Sequence, residues 1–212
     1  MIRCINHNTG TQRTPCASRV GPWLPWPGAR HLAWLLGVLL GLICAAQVTL
    51  AQPAAPSETQ VKAAFVVNFP KYVTWPAESF TKTNSPIVIT VLGGSKLGDE
   101  LAKMIPGKKV DGRPLVLNIA TKEEQITNTC HILFIGAAER RRAPAILQKL
   151  GAAPILTVGE SDDFLATGGT INLAIHDKKV SVEVNLASAN QARLQISSKL
   201  LNVARVQKDK AR

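Results

Sequence analysis

Between Ile87 and Val158 the chain alternates short aliphatic runs with helical stretches, and this alternation leaves few folds open. Ile87–Leu92 (IVITVL), closed by Gly93-Gly94, reads as a buried strand. Pro114–Ile119, His131–Ile135 and Pro154–Val158 read as further strands. Between them, Lys96–Ile105 is a short helix ended by Pro106-Gly107. Ala137–Leu150 is a second helix, with Arg140, Arg141 and Arg142 outward, Ile146, Leu147 and Leu150 inward and Gly151 as its cap. Asp111-Gly112, set between Lys109-Val110 and Pro114, is a turn dipeptide. Alternation of this kind gives a parallel sheet with right-handed crossovers, covered by helices on both faces. After Val158 the pattern changes. Thr170–Ile175 and Lys179–Val184 flank His176-Asp177-Lys178 as a hairpin, and Leu186–Ala192 and Ser198–Val206 read as helices. Basic Arg205, Lys208, Lys210 and Arg212 suit a helix C-terminus. The expected fold is α/β: a three-layer, Rossmann-like sandwich whose mostly parallel sheet ends in an antiparallel hairpin near the C-terminus.

Upstream, Ser57-Glu58-Thr59-Gln60 matches a capping box and opens a helix on which Val61, Ala64, Phe65, Asn68 and Tyr72 recur at helical spacing. Pro70 should kink or stop it, and Trp75-Pro76 ends the segment. Residues 1–51 are of another kind. They hold four arginines (Arg3, Arg13, Arg19, Arg30) and no Asp or Glu, ahead of the apolar run Leu32–Ile43. That run falls short of the ~20 residues needed to cross a bilayer. A basic flank, a short apolar stretch and small residues after it describe a secretory signal peptide, cut after Ala51 or, alternatively, after Ala46. An uncleaved anchor is the competing reading. The Pro-bearing stretch before Arg30 is atypical and suggests a translation start near Val20. The expected organisation is a signal peptide with an N-terminal extension over 1–51, a Pro/Ala linker over 52–57 and one α/β domain over 58–212, exported from the cytosol.

Chemistry is constrained mostly by what the exported part lacks. Its only cysteine is Cys130, so no internal disulfide can form and the core must hold without one. Its only histidines, His131 and His176, lie far apart, against the tight spacings of a structural metal site. His131 reads as satisfying a strand end and His176 as a hairpin-tip residue. Gly93-Gly94-Ser95-Lys96 opens a helix but completes neither dinucleotide nor P-loop motif, and reads as a plain strand-to-helix turn. Gly168-Gly169 reads as a tight turn into Thr170, and Ser197-Ser198 as a helix cap. Glu160, Asp162 and Asp163 form an acidic cluster after a strand. A solvated loop is the favoured reading, with a hydrolase using Asp162 or Asp163 as the alternative. No nucleophile–base–orienter set can be assembled, which points away from an enzyme and from any cofactor. Residues 52–212 carry 21 Lys/Arg against 14 Asp/Glu. The basic residues are scattered and aromatics are 5% of the chain, so a nucleic-acid partner is not expected; a basic face toward anionic lipid or an acidic partner is.

Several segments together resemble the YfiR family of periplasmic proteins. They are Val61–Phe69 with Lys71–Pro76, Cys130–Gly136, Ile155–Glu160 with Phe164 and Gly168–Leu173, Glu183-Val184-Asn185, and Leu194–Ala204. The resemblance implies a non-enzymatic, dimeric regulator that binds and represses an inner-membrane diguanylate cyclase, and that an outer-membrane lipoprotein sequesters. A ligand-sensing domain feeding a membrane histidine kinase is the alternative. It further implies partner contact at Glu183 and a small-ligand pocket at Thr74, Gln195 and Ser197. This chain departs from the best-known member in two ways. The paired cysteines are reduced to Cys130, and Thr74, Gln195 and Ser197 stand where that pocket has Arg and His.

Overall fold

A computed structural model describes residues 55–93, 95–127 and 129–207. The expected signal peptide, its cleavage points, Gly94 and the basic tail from Lys208 lie outside the described residues. The first helix, α1 (Glu58–Asn68), starts on the capping box: Gln60 N–H donates to Ser57 Oγ, and Ser57 N–H donates back to Gln60 Oε1. Pro70 ends it, and a single 3₁₀ turn over Phe69–Lys71 leads into β1 (Val73–Thr74). The chain continues through β2 (Ile87–Leu92), α2 (Lys96–Met104), β3 (Lys109–Val110), β4 (Arg113–Ala120) and β5 (Cys130–Ile135). Then come α3 (Ala143–Leu150), β6 (Leu156–Gly159), β7 (Ile171–His176), β8 (Lys179–Asn185) and α4 (Leu186–Gln191). The described chain closes with β9 (Gln195–Ile196), α5 (Ser198–Leu201) and β10 (Arg205–Gln207).

Eight strands form one sheet in the order β10-β8-β7-β6-β5-β2-β4-β3, and β1 pairs with β9 in a separate antiparallel ribbon. The five central strands, β4-β2-β5-β6-β7, are mutually parallel; β3 and β8 run antiparallel to their inner neighbours, and β10 is parallel to β8. The turns match their residues. Asp111 and Gly112 (φ 49° and 79°) link β3 to β4, and Asp177 and Lys178 (φ 49° and 61°) link β7 to β8, the left-handed pairs that two-residue hairpins require. His176 is therefore the last residue of β7, paired with Lys179, not part of the turn.

Side chains alternate across the sheet. Ile89, Val91, Ile132, Phe134, Leu156 and Val158 pack with Ala63, Val66, Val67, Leu97, Leu101 and Leu200 of α1, α2 and α5 on one face. Leu133 and Ile135 meet Ala143 and Ile146 of α3 with Phe164 and Leu165 on the other. Each fully buried aliphatic or aromatic side chain contributes ~1.5–3 kcal/mol, which is how the core holds without covalent bridges. At β5 Val88 pairs with Cys130 while Ile89 pairs with Ile132, so His131 is an extra, bulged residue, and Cys130 is turned to the α3 face.

Two expectations need correction. The helix expected over Ala137–Leu150 is broken into a 3₁₀ turn (Ala137–Glu139) and α3, because a mid-helix Pro144 would clash with the preceding turn; the helix restarts so that Pro144 falls in its first turn. The helix expected over Ser198–Val206 stops at Leu201, and Arg205–Gln207 form β10. Four residues are too few for a helix to hold by itself, whereas pairing with β8 satisfies backbone groups that an open sheet edge would leave free.

Candidate functional site

Glu183 sits on β8 directly opposite Asn172 of β7. Asn172 Nδ2 donates to Glu183 Oε2 at 3.1 Å, and His176 Nε2 lies 3.0 Å from Glu183 Oε1. Asn172 is 1% exposed while the Glu183 side chain is 24% exposed, so a buried amide and a half-exposed ring fix a carboxylate that still reaches solvent. Arg205 of β10 is the register neighbour of Glu183 on the other side. Asp162, Leu165, Ala166, Glu183, Arg205 and Val206 line a shallow hollow of about 250 Å³. The acidic loop and Glu183, separate in sequence, thus share one surface. It carries charges of both signs, of which the Glu183 carboxylate is the one held in place by hydrogen bonds.

The ligand-pocket residues fall elsewhere. Thr74 and Gln195 are exposed cross-strand partners in the β1–β9 ribbon. Ser197 follows them, its N–H donating to Tyr72 O at 2.8 Å, and its Oγ accepts from Lys199 N–H as the cap of α5. The structure brings the three onto one ribbon but commits the Ser197 hydroxyl to capping. An exposed ion pair between Arg193 and Glu78 lies two residues before Gln195.

In open α/β sheets, ligands favour the crevice beyond the carboxyl ends of the strands where the order reverses, here between β2 and β5. Carboxylates occupy it. Glu139 Oε1 lies 3.2 Å from where a Cβ on Gly93 would sit, and Glu160 Oε1 lies 3.5 Å from the equivalent point on Gly136. A phosphate there would face both. Glu160 is instead bound within the fold: Lys62 Nζ donates to its Oε2 at 2.8 Å, and Ala137 N–H donates to its Oε1 at 3.0 Å. Lys62 is 7% exposed and also pairs with Glu58 at 2.7 Å. Burial acts to lower its pKa, but the hydrogen bonds and charges of Glu160 and Glu58 outweigh burial and hold it above the usual lysine value.

Trp75 is 7% exposed and donates from Nε1 to His131 O at 3.2 Å. The His131 ring accepts Val88 N–H at Nδ1 and stacks on Phe80, over which Arg113 is laid. Burial pushes the His131 pKa down. The Cys130 thiol is pushed up to about 11, chiefly by burial. Among the described residues no three His, Cys, Asp or Glu side chains are grouped to hold a metal ion. No described helix is long and apolar enough to cross a membrane.

A feature that sequence reasoning missed is a groove of about 730 Å³ beside α1, lined by Val61, Phe65, Phe69, Tyr72, Leu200 and Val203 among others. The stripe Val61, Ala64, Phe65, Asn68, Tyr72 is half-buried along this groove; the fully buried face of α1 is Ala63, Val66 and Val67, with Lys62. The signal was present: the helix is apolar on two sides, and one side is enough for a core.

Fold and site define a three-layer α/β domain with a charged hollow beside Glu183. The chain belongs to the YfiR/HmsC-like family, whose model matches residues 59–205. The family is regulatory rather than catalytic, periplasmic in general, and acts through partner proteins in cyclic-di-GMP signalling. No curated protein matches the chain. Among solved structures it is similar to a conserved domain protein from Vibrio cholerae O1 biovar El Tor, at 13% identity and a TM-score of 0.49. It is also similar to an ABC domain in complex with L-Trp from Streptococcus pneumoniae, at 10% identity and a TM-score of 0.46. Both matches cover 71% of this chain, which spans 60% of each of those chains.

Proposed function

We propose that this protein is an exported, non-enzymatic regulator that docks on a membrane-bound diguanylate cyclase and represses it, with Glu183 at the contact. The observation that carries the reading is the family match over residues 59–205. The fixed Glu183 carboxylate beside Arg205 and Asp162 supports it, because a charge held by two partners loses little freedom when a second protein meets it. Repression requires only that the regulator bind the inactive cyclase more tightly than the active one. A homodimer is the expected working form, and an outer-membrane lipoprotein the expected competitor for it. Deleting the gene should raise cellular cyclic-di-GMP and biofilm. Complementation with Glu183→Gln, which keeps the shape but removes the charge, should restore repression only in part. Unchanged cyclic-di-GMP in the deletion strain, with the cyclase gene intact, would overturn the reading.

A further inference from the structure

Helix α1 has two apolar faces: one is buried in the core, and the other, on which Phe65 also touches the core, is left half-buried. Ala63 and Val66 are fully buried, while Val61, Ala64 and Phe65 on the other side line the 730 Å³ groove, whose far wall carries Val203 at 73% exposure. A volume of this size lies within the ~300–1,000 Å³ of small-ligand sites, which are likewise apolar and aromatic with few polar groups. A second hollow of about 310 Å³ adjoins it, sharing Ala64, Asn68 and Met104, and is lined by Lys71, Lys108 and Lys109. Lys199 lines the groove itself. Neither lining contains an Asp or Glu, and none of these four lysines makes an ion pair among the described residues. The groove is mostly apolar with Lys199 on its lining, and three more unneutralised lysines gather in the adjoining hollow, so most of the positive charge is segregated to the second part of this paired depression. A peptide helix would bring backbone ends and polar side chains along its whole length. The segregation matches one alkyl chain bearing one acidic head.

We propose that this depression binds a single-chain anionic amphiphile, a fatty acid or a lysophospholipid with an acidic headgroup. Its chain lies against Val61, Phe65 and Val203, and its head lies at Lys71, Lys108 and Lys109. Binding here is independent of any cyclase. The test is titration calorimetry and native mass spectrometry on the full gene product, purified as the cell processes it. The probes are oleate, lysophosphatidylglycerol and the zwitterionic lysophosphatidylcholine, each below its micelle concentration. One or both anions should bind one-to-one, at least ten-fold more tightly than lysophosphatidylcholine, and which of the two binds identifies the head. Lys71→Glu/Lys108→Glu/Lys109→Glu should weaken anion binding at least ten-fold. Val203→Glu, at an exposed position that tolerates charge, should weaken it with the melting temperature unchanged. Lysophosphatidylcholine binding as tightly as the anions, or no binding of either anion, would overturn the proposal. So would a dimer that Val203→Glu dissociates and that takes up no amphiphile, which would assign the groove to a second copy. Uptake appearing only after removal of residues before Pro56 would likewise assign the groove to that segment.

Discussion

Lys62 shows what one side chain can hold together. A buried ammonium is costly unless its charge is met, and here Glu58 and Glu160 meet it from α1 and from the end of β6, with Glu160 also holding the Ala137 amide. The two ends of this network are not equivalent. Glu160→Ala leaves a buried cation with one exposed partner and an amide without its acceptor, and should cost ~2 kcal/mol. Lys62→Met replaces the cation by an apolar group of similar length and leaves Glu160 on Ala137, so it should cost less than about 1 kcal/mol. Urea unfolding of both variants checks the order; equal losses would show that the pair, not the buried charge, sets the cost. Because the Lys62 pKa is raised in the fold, its contribution is present below about pH 10 and is lost as pH rises through the folded value.

At the scale of elements, Gly159, Phe164, Gly168 and Gly169 work as one unit. Gly168 supplies the turn, at φ 101°. Gly159 and Gly169 form a slot for the buried Phe164 ring: a Cβ on either would lie 2.3 Å or 2.2 Å from ring carbons. Gly169→Ala should therefore destabilise by ~2–3 kcal/mol, and Phe164→Leu in that background should recover part of the loss. Thermal unfolding of the two single variants and the double variant measures the coupling, and additive losses would rule out the slot. Much of this level was legible in sequence. The capping box, the Asp111-Gly112 turn and the buried strands rest on local chemistry, and each formed where its residues called for it. Other features were not legible. The role of Gly169 depends on a ring five residues away, and β10 on a β8 edge that periodicity cannot see; the split before α3, by contrast, was legible in Pro144. Glu183 and Asp162 meet only because β7 and β8 return beside the acidic loop. The groove was missed because a helix apolar on two sides looks, in one dimension, like a helix with a broad core face.

For the whole molecule, acid is the informative perturbation. Burial lowers the His131 pKa, so the unfolded chain binds the proton first as pH falls. Its contribution to stability is complete above about pH 6.5 and declines as pH drops below that value toward the folded pKa. Protonating Nδ1 also removes the acceptor for Val88 N–H, at the bulge where Trp75, Phe80 and Arg113 gather. The melting temperature should fall more steeply between pH 7 and pH 5 in the native protein than in His131→Gln, whose amide can still accept that bond. Parallel curves would place the acid sensitivity on carboxylates instead.

The central claim is that this domain acts by contact with a membrane cyclase and not by catalysis. The most direct measurement adds the purified protein to membranes carrying the diguanylate cyclase and follows cyclic-di-GMP synthesis. The rate should fall saturably with added protein, and Glu183→Gln should need at least several-fold more protein for the same inhibition. A synthesis rate that stays constant for every membrane cyclase of the host, at protein concentrations far above that of the cyclase, would contradict it.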